Sequence, residues 1–278
     1  MTCAVSGGAD STALAVLAVA ADCRPTLVHV DHGLRPGSAA ESEVVVRLAA
    51  RLGCPVRTVR AEVGHGPNLE ARARDARYAV LPADVLTGHT ADDQAETVVL
   101  HLLRGASLSG LSGMRPGPRR PLLALRRAET QALCTALGLE VVDDPSNLDR
   151  RHLRNKVRLD LLPALAEAAD RDLVPILTRQ ADLARDDADL LDSLAAELDP
   201  TDARALAAAP TALARRAVRG WLTGDHPPDA ATVERVLGVA RGDAAATDVG
   251  TGRRVERSHQ RLRLVVPGSP SADGSPSD

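Results

Sequence analysis

Aromatic residues are almost missing from this sequence of 278 residues, which has one tryptophan, one tyrosine and no phenylalanine. The hydrophobic core must therefore be built from leucine, valine and alanine. Lysine is rare as well, because Lys156 is the single one and nearly all the positive charge comes from arginine. The four cysteines form no CxxC pair, which argues against a zinc or iron–sulfur site and against a disulfide framework.

Long apolar runs and a strong charge of one sign are missing too. No stretch reaches 18 apolar residues, and no basic segment followed by an apolar one starts the chain. We therefore expect a cytoplasmic protein with no membrane partner. The formal net charge of −3 does not by itself indicate a nucleic-acid-binding protein. Local charge is uneven, because the segment 104–127 contains six arginines and no acidic residue.

Patterns typical of buried strands and of helices alternate along the first part of the chain. This alternation predicts an α/β fold in which helices cover both faces of a parallel sheet, and we expect the sheet to have five strands. Four of the strands are assigned to segments of the sequence, at 2–5, 26–33, 55–63 and 83–90.

The later part of the chain has a different pattern. It is rich in alanine, leucine and aspartate with helical spacing, and only 247–266 alternates like short strands. We expect one domain at 1–165 and a small, mainly helical domain at 166–266. The segment 267–278 is rich in proline, glycine and serine, and we expect a disordered tail there.

A glycine turn, SGGADS, follows the first predicted strand. A strand, a turn and a helix start bring free backbone N–H groups together, which makes an anion site. Gly7 and Gly8 let the backbone approach phosphate oxygens, and Ser6 and Ser11 can donate hydrogen bonds. A carboxylate at Asp10 would repel phosphates unless a cation stood between them, which predicts Mg²⁺ bound by Asp10.

This turn differs from the commoner phosphate loops. It lacks the lysine of the GxxxxGK[ST] loop, and it lacks the GxGxxG pattern. An ordinary glycine-rich turn is the alternative to a phosphate site. The predicted nucleotide-binding residues of the turn are Ser6, Gly7, Gly8, Ala9, Asp10 and Ser11.

A second motif, GHTADDQAET at 88–97, begins where the fourth predicted strand ends, and open α/β sheets build their sites at such ends. Thr90 is a candidate helix N-cap. Glu96 lies four residues after Asp92 and three after Asp93, so these carboxylates share a helix face. Clustered carboxylates favour a nearby cation, and a lysine ammonium with its three donors would suit them. A solvated acidic helix start is the alternative.

Basic side chains are the third candidate group. Arg74 and Arg77 are three apart on a predicted helix and would neutralise charge on a phosphate or hold an RNA backbone, unless they form a solvated basic face. His32 follows the second predicted strand at the expected nucleotide edge, where a structural role is the alternative. A further cluster of basic residues suits contacts to phosphates, and its arginines are Arg151, Arg154 and Arg158. A plain charged helix is the alternative.

Several motifs carry a family resemblance. The glycine turn matches the SGGxDS signature of the PP-loop, or N-type, ATP pyrophosphatases, which have a Rossmann-like fold. The sequence over 3–165 resembles the tRNA(Ile)-lysidine synthetase family in its short form. The motifs that match in order are SGGADS, DHGLR, ARxxRY, GHTADDQAET, LLRG, GLSGM, RPLL and DPSNLDRRHLRNKVR.

The resemblance implies a reaction. ATP adenylates the C2 oxygen of the wobble cytidine in the CAU anticodon of an isoleucine tRNA, and the ε-amine of L-lysine then displaces AMP. The implied cofactors are ATP and Mg²⁺, and the second domain would bind the tRNA; a homodimer is left open. Asp93 and Glu96 would recognise lysine, while His89 and Asp92 would hold the site or the metal. The expected catalytic residues are Asp10, Arg74, Arg77, Asp93 and Glu96, and the expected substrate-binding residues are His89, Asp92, Asp93, Glu96, Arg151, Arg154 and Arg158.

Two other functions are compatible with the same fold. A tRNA thiolase of this superfamily typically carries catalytic or cluster-binding cysteines, and the lack of a CxxC pair counts against it. A non-enzymatic ATP-binding regulator would not need Asp10, an acidic helix face and two arginine clusters together.

Overall fold

The computed structural model describes residues 1–31, 38–61, 64, 66, 69–224 and 226–266. It divides into two compact units, the first from Met1 to Arg185 and the second from Asp186 onward. The division falls within one long helix, Val174–Ala196, and so comes later in the chain than the end of the α/β pattern. The tail at 267–278 lies outside the described residues.

The first unit alternates strands and helices at its start and continues with helices. Its strands are β1 (Thr2–Ala4), β2 (Thr26–Asp31) and β3 (Val56–Arg60). Its helices are α1 (Ala9–Ala20), α2 (Ser38–Leu52), α3 (Leu69–Val80), α4 (Ala91–Leu103), α5 (Leu108–Leu111), α6 (Arg127–Ala136), α7 (Leu153–Lys156), α8 (Leu162–Ala169) and the first part of α9 (Val174–Ala196).

The sheet of the first unit is parallel, with the strand order β1-β2-β3. Leu86 extends it at the free edge of β1, where it forms a parallel bridge with Cys3. Within the described residues this sheet has three regular strands instead of the five expected. The fourth predicted strand shrinks to this bridge because the chain leaves the ladder at Thr87, whose N–H donates to the carbonyl of Arg119 at 2.9 Å.

The core beneath the sheet is built without aromatic side chains, as the composition predicts. Helix α1 packs on α6, and the buried side chains of the strands and of α1 and α2 form one cluster with the loop before α6. Its largest members are Leu14, Leu27, Val45, Leu48 and Leu122. This cluster fixes the start of α1 against the end of β1, which is where the glycine turn lies.

The second unit combines helices with a small antiparallel sheet of order β4-β5-β6. The prediction of short strands within 247–266 is confirmed. Trp221 packs against a core that includes Leu206, Val236 and Leu262. The elements are α10 (Ala203–Ala208), α11 (Thr211–Leu222), α12 (Ala230–Arg241), β4 (Ala246–Gly250), β5 (Arg253–Ser258) and β6 (Arg261–Val265).

Among the helices of the described ranges, none is both long enough and apolar enough to cross a bilayer.

Candidate active site

The glycine turn joins the end of β1 to the start of α1. Gly7 has a φ of +92°, and a Cβ atom at this position would lie 2.8 Å from Cγ2 of Val142. Two hydrogen bonds close the turn, one from the Ser6 N–H to Oγ of Ser11 at 3.1 Å and one from that hydroxyl to the Gly8 carbonyl at 2.9 Å. Both the positive φ and the lack of space therefore require glycine at position 7.

The second motif lies directly against this turn. A Cβ atom on Gly88 would lie only 2.6 Å from the carbonyl oxygen of Asp10, so no larger residue fits without a backbone shift. Because the chain runs parallel to β1 at Leu86, the segment 88–97 begins at the same sheet edge as the glycine turn. The phosphate-type turn and the acidic helix α4 thus start side by side.

Asp10 is half-buried in the first turn of α1. Its Oδ1 accepts a hydrogen bond from the Thr130 hydroxyl, and its Oδ2 lies 3.5 Å from Nε of Arg127. Burial raises the pKa of the Asp10 carboxyl, while Thr130 and Arg127 act in the opposite direction. Over the described ranges no cluster of three or more His, Cys, Asp or Glu side chains could hold a metal ion, so any Mg²⁺ at Asp10 would need phosphate and water ligands as well.

Helix α4 presents its carboxylates from a capped start. Thr90 is the N-cap, as predicted, and its N–H donates to Oδ2 of Asp93 at 2.9 Å. The cap fixes Oδ2 of Asp93, and Oδ1 is left to accept hydrogen bonds from arginines. Asp93 is 8% exposed and Glu96 is 1% exposed, and such buried carboxylates need partners.

Three arginines from outside α4 supply those partners. Arg127 donates to Oε1 of Glu96 at 3.1 Å and to Oδ1 of Asp93 at 3.1 Å. Arg154 donates to Oε2 of Glu96 at 2.8 Å and to Oδ1 of Asp93 at 2.9 Å. Arg158 donates to Oε1 of Glu96 at 2.7 Å. Burial alone would raise the pKa of Asp93, but the charges of Arg127 and Arg154 outweigh it and lower that pKa.

Asp92 belongs to a neighbouring ion-pair group. It accepts hydrogen bonds from the Arg126 guanidinium at 3.2 Å and from the Arg127 N–H at 2.7 Å. Burial would raise the pKa of Asp92, but the hydrogen bonds of Arg126 and Arg127 lower it overall. Arg126 also pairs with Asp172, which caps the start of α9 through the Val174 N–H.

Two cavities adjoin this cluster. The larger, of about 410 Å³, is lined by the glycine turn, by Thr87, Gly88 and His89, and by Tyr78. The smaller, of about 190 Å³, is lined by acidic and basic side chains together with apolar ones such as Leu162 and Leu173. Arg127 and Arg158 line both cavities and therefore stand between them.

Comparisons with known proteins agree with this geometry. A family model described as a PP-loop domain matches residues 1–165. The tRNA(Ile)-lysidine synthase of Nocardia farcinica is 41% identical over 95% of this chain and 90% of its own length. The chain belongs to the tRNA(Ile)-lysidine synthase family. The synthase of Mycobacterium leprae is 46% identical over 79% of this chain and 73% of its own length. The synthase of Streptomyces coelicolor is 44% identical over 95% of this chain and 84% of its own length.

A solved structure supports the fold alone. The U34-tRNA thiolase NcsA of Methanococcus maripaludis, solved with its 4Fe–4S cluster, aligns with a TM-score of 0.53 at 17% identity, over 66% of this chain and 72% of its own. This likeness confirms the predicted α/β class. As a member of the lysidine synthase family the protein is an ATP-using enzyme, and the thiolase is the more distant neighbour.

Most of the residues predicted for a lysidine synthase site come together in the first unit. Gly7 shapes the turn, Asp92 and Glu96 line the smaller cavity, and Arg154 contacts Glu96. Those that line the larger cavity are Ser6, Gly8, Ala9, Asp10, Ser11, Arg77, His89, Asp93 and Arg158.

Three predicted residues do not join this group. The Arg151 side chain is 89% exposed and pairs with Asp149 instead. Arg74 belongs to α3, but its side chain lies outside the described part of the structure. His32 also lies outside the described residues.

Two residues at this candidate site were not among the site residues predicted from the sequence. Arg127 is the arginine at which the carboxylates meet, and Thr130 binds Asp10. Neither has a helical spacing to the predicted motifs, since both lie on α6, which comes after a long loop. The only available signal was a charged stretch, and nothing in it distinguishes Arg127 from Arg126.

Proposed function

We propose that the protein joins L-lysine to C2 of the wobble cytidine in an isoleucine tRNA with a CAU anticodon. In the first step the C2 oxygen attacks the α-phosphorus of ATP, and pyrophosphate leaves. In the second step the ε-amine attacks C2, the bond from C2 to the adenylated oxygen breaks, and AMP leaves. The observation that carries this proposal is the meeting of the glycine turn and the α4 carboxylates around Arg127, beside two adjoining cavities.

The glycine turn suits the triphosphate of ATP. Ser6 and Ser11 close a turn at the positive end of α1, and Gly8 lines the larger cavity, where its backbone can approach phosphate oxygens. Asp10 would hold Mg²⁺, which would draw charge from the phosphates and ease the departure of pyrophosphate. Arg77 lines the same cavity and would face the developing charge. The roles of Arg74 and His32 at the nucleotide stay predictions from the sequence.

The smaller cavity suits the lysine side chain. Leu162, Ala166 and Leu173 provide apolar walls that match a chain of methylene groups. Three carboxylates and two guanidiniums also line this cavity, so an ammonium group and a carboxylate of lysine could each pair with an opposite charge there. Asp93 and Glu96 would hold the ε-amine of lysine. Asp92 and His89 would keep the side chains of the site in position. The amine must lose a proton before it attacks, and a carboxylate can accept that proton.

The basic residues near α7 suit contacts to the tRNA phosphates, and we expect them to differ in importance. Arg151→Gln should reduce the slope of log affinity against log salt by about 0.7 to 0.9. The pairing of Arg151 with Asp149 is exposed and therefore easily exchanged for a phosphate. Arg154→Gln is the matched variant, because Arg154 is bonded to Glu96 and Asp93. Its slope should stay close to that of the wild type.

Fluorescence anisotropy with labelled tRNA at several KCl concentrations would measure both slopes. An unchanged slope for Arg151→Gln would remove Arg151 from the proposed tRNA interface.

The reaction itself is tested by incubating the protein with unmodified CAU-anticodon isoleucine tRNA, ATP and labelled lysine. We expect label in the tRNA together with an equal amount of AMP. The same tRNA with uridine at the wobble position is the control and should stay unlabelled. Intact ATP would favour a nucleotide-binding regulator, and a lack of label despite AMP formation would overturn lysine as the nucleophile. Cytoplasmic location and a homodimer stay predictions.

A further inference from the structure

Arg127 contacts carboxylates from both predicted motifs. Its Nε lies 3.5 Å from Oδ2 of Asp10, which belongs to the glycine turn. Its two terminal nitrogens donate to Glu96, and one of them also donates to Asp93, each at 3.1 Å. Its backbone N–H donates to Asp92 at 2.7 Å. Arg127 therefore contacts four carboxylates, one on α1 and three on α4, and these helices are far apart in the sequence.

We propose that Arg127 is a positioning residue that couples the ATP half of the site to the lysine half. This inference rests on the proposed function. A guanidinium is planar and has several donors in fixed directions, so it sets the distance between carboxylates that bind its different nitrogens. Arg127 also lines both cavities, so a shift of its side chain would change the shape of both.

The backbone around Arg127 strengthens the coupling. Its carbonyl accepts a hydrogen bond from the Thr130 hydroxyl, and that same hydroxyl donates to Asp10. Arg127 is thus tied to the glycine turn in two ways, through its side chain and through Thr130. Its guanidinium stays charged, because the charges of Asp93 and Glu96 outweigh the effect of burial and raise its pKa.

Arg158 offers a matched comparison on the other side. It also lies between the two cavities and donates to Glu96 at 2.7 Å, and its ion pairs in the structure are with Glu96 and Asp93. Arg127 has those partners and Asp10 in addition. A residue that couples the two halves should influence the use of both substrates, whereas Arg158 should influence lysine most.

The experiment compares Arg127→Lys, Arg127→Gln and Arg158→Gln by steady-state kinetics, with ATP and lysine titrated separately. Arg127→Gln should raise KM for both ATP and lysine, each by about 10-fold or more. On the ATP side Asp10 loses its ion pair with the guanidinium, and on the lysine side Asp93 and Glu96 lose charge-assisted hydrogen bonds. Arg127→Lys keeps the charge but has no fork to bridge two carboxylates, so it should recover only part of either loss. Arg158→Gln should raise KM for lysine with a much smaller change for ATP.

Two controls keep the outcomes distinct. Arg47→Gln removes an exposed ion pair with Glu140 and should leave both KM values unchanged. Far-UV circular dichroism and urea midpoints would identify a variant that has lost its fold, in which case Arg127→Lys carries the comparison. If the wild type transfers no lysine, the proposed function fails. If the wild type is active and the Arg127 variants change only the use of lysine, or neither KM, the coupling role is overturned.

Discussion

Asp10→Asn is expected to lower tRNA-dependent AMP formation by more than about 100-fold, because it removes the negative charge that would hold Mg²⁺ at the glycine turn. Mutating outer-shell partners of a bound metal already costs 10- to 100-fold, and a direct ligand should cost more. The amide keeps the shape of the carboxyl, and its oxygen can still accept the hydrogen bond from Thr130. The loss should therefore appear in activity with little change in fold.

The measurement is release of AMP from labelled ATP at saturating tRNA and lysine, across a titration of Mg²⁺. Asp22→Asn is the matched control, since Asp22 is exposed beyond the other end of α1 with a φ of +56°, a conformation that asparagine tolerates well. This control should keep wild-type activity. Near wild-type turnover of Asp10→Asn would show that Asp10 does not bind the metal.

Glu96→Gln is expected to weaken the use of lysine by about 10- to 150-fold, which corresponds to the 1.5–3 kcal/mol of a hydrogen bond to a charged group. Glu96 is 1% exposed and is shared by Arg127, Arg154 and Arg158, so neutralising it also leaves three partly buried guanidiniums less well paired. Breaking a buried ion pair typically costs 3–5 kcal/mol of stability. We therefore expect a lower urea midpoint together with the defect in lysine use.

Single-turnover kinetics with labelled ATP across a lysine titration separates the two steps. Adenylation of the tRNA should proceed in Glu96→Gln, and the adenylated intermediate should accumulate. Glu129→Gln is the control for loss of a carboxylate, because Glu129 lies on α6 and accepts a hydrogen bond from the Arg126 N–H. If Glu96→Gln blocks adenylation at saturating lysine while the protein stays folded, this carboxylate serves ATP or the metal instead.

Local signals in the sequence located the elements that carry the site. The two glycines before α1 and the Thr90 cap before α4 predicted where these helices start, because both signals act within a few residues. The fourth strand was predicted less well. Its regular pairing is limited to Leu86, since the Thr87 N–H is taken by the carbonyl of Arg119, a contact between distant segments that no periodicity reveals.

The partners of the carboxylates could not be predicted for the same reason. Spacing indicated that Asp93 and Glu96 share a face, and in the structure both accept hydrogen bonds from the guanidiniums of Arg127 and Arg154. The sequence predicts that Arg154 contacts phosphates, because a cluster of positive charge is typical of a surface that binds a polyanion such as tRNA. Its contact with Glu96 depends on how α7 packs near α4, which is a property of the whole fold.

The scarcity of aromatic residues gives each unit of this protein its own optical label. Trp221 packs against the core of the second unit, so tryptophan fluorescence excited at long wavelength reports on that unit. Tyr78, the sole tyrosine, lines the larger cavity of the first unit, where a bound nucleotide would alter its emission. Unfolding of the two units and occupancy of the nucleotide cavity can thus be followed in one cuvette without attaching a dye.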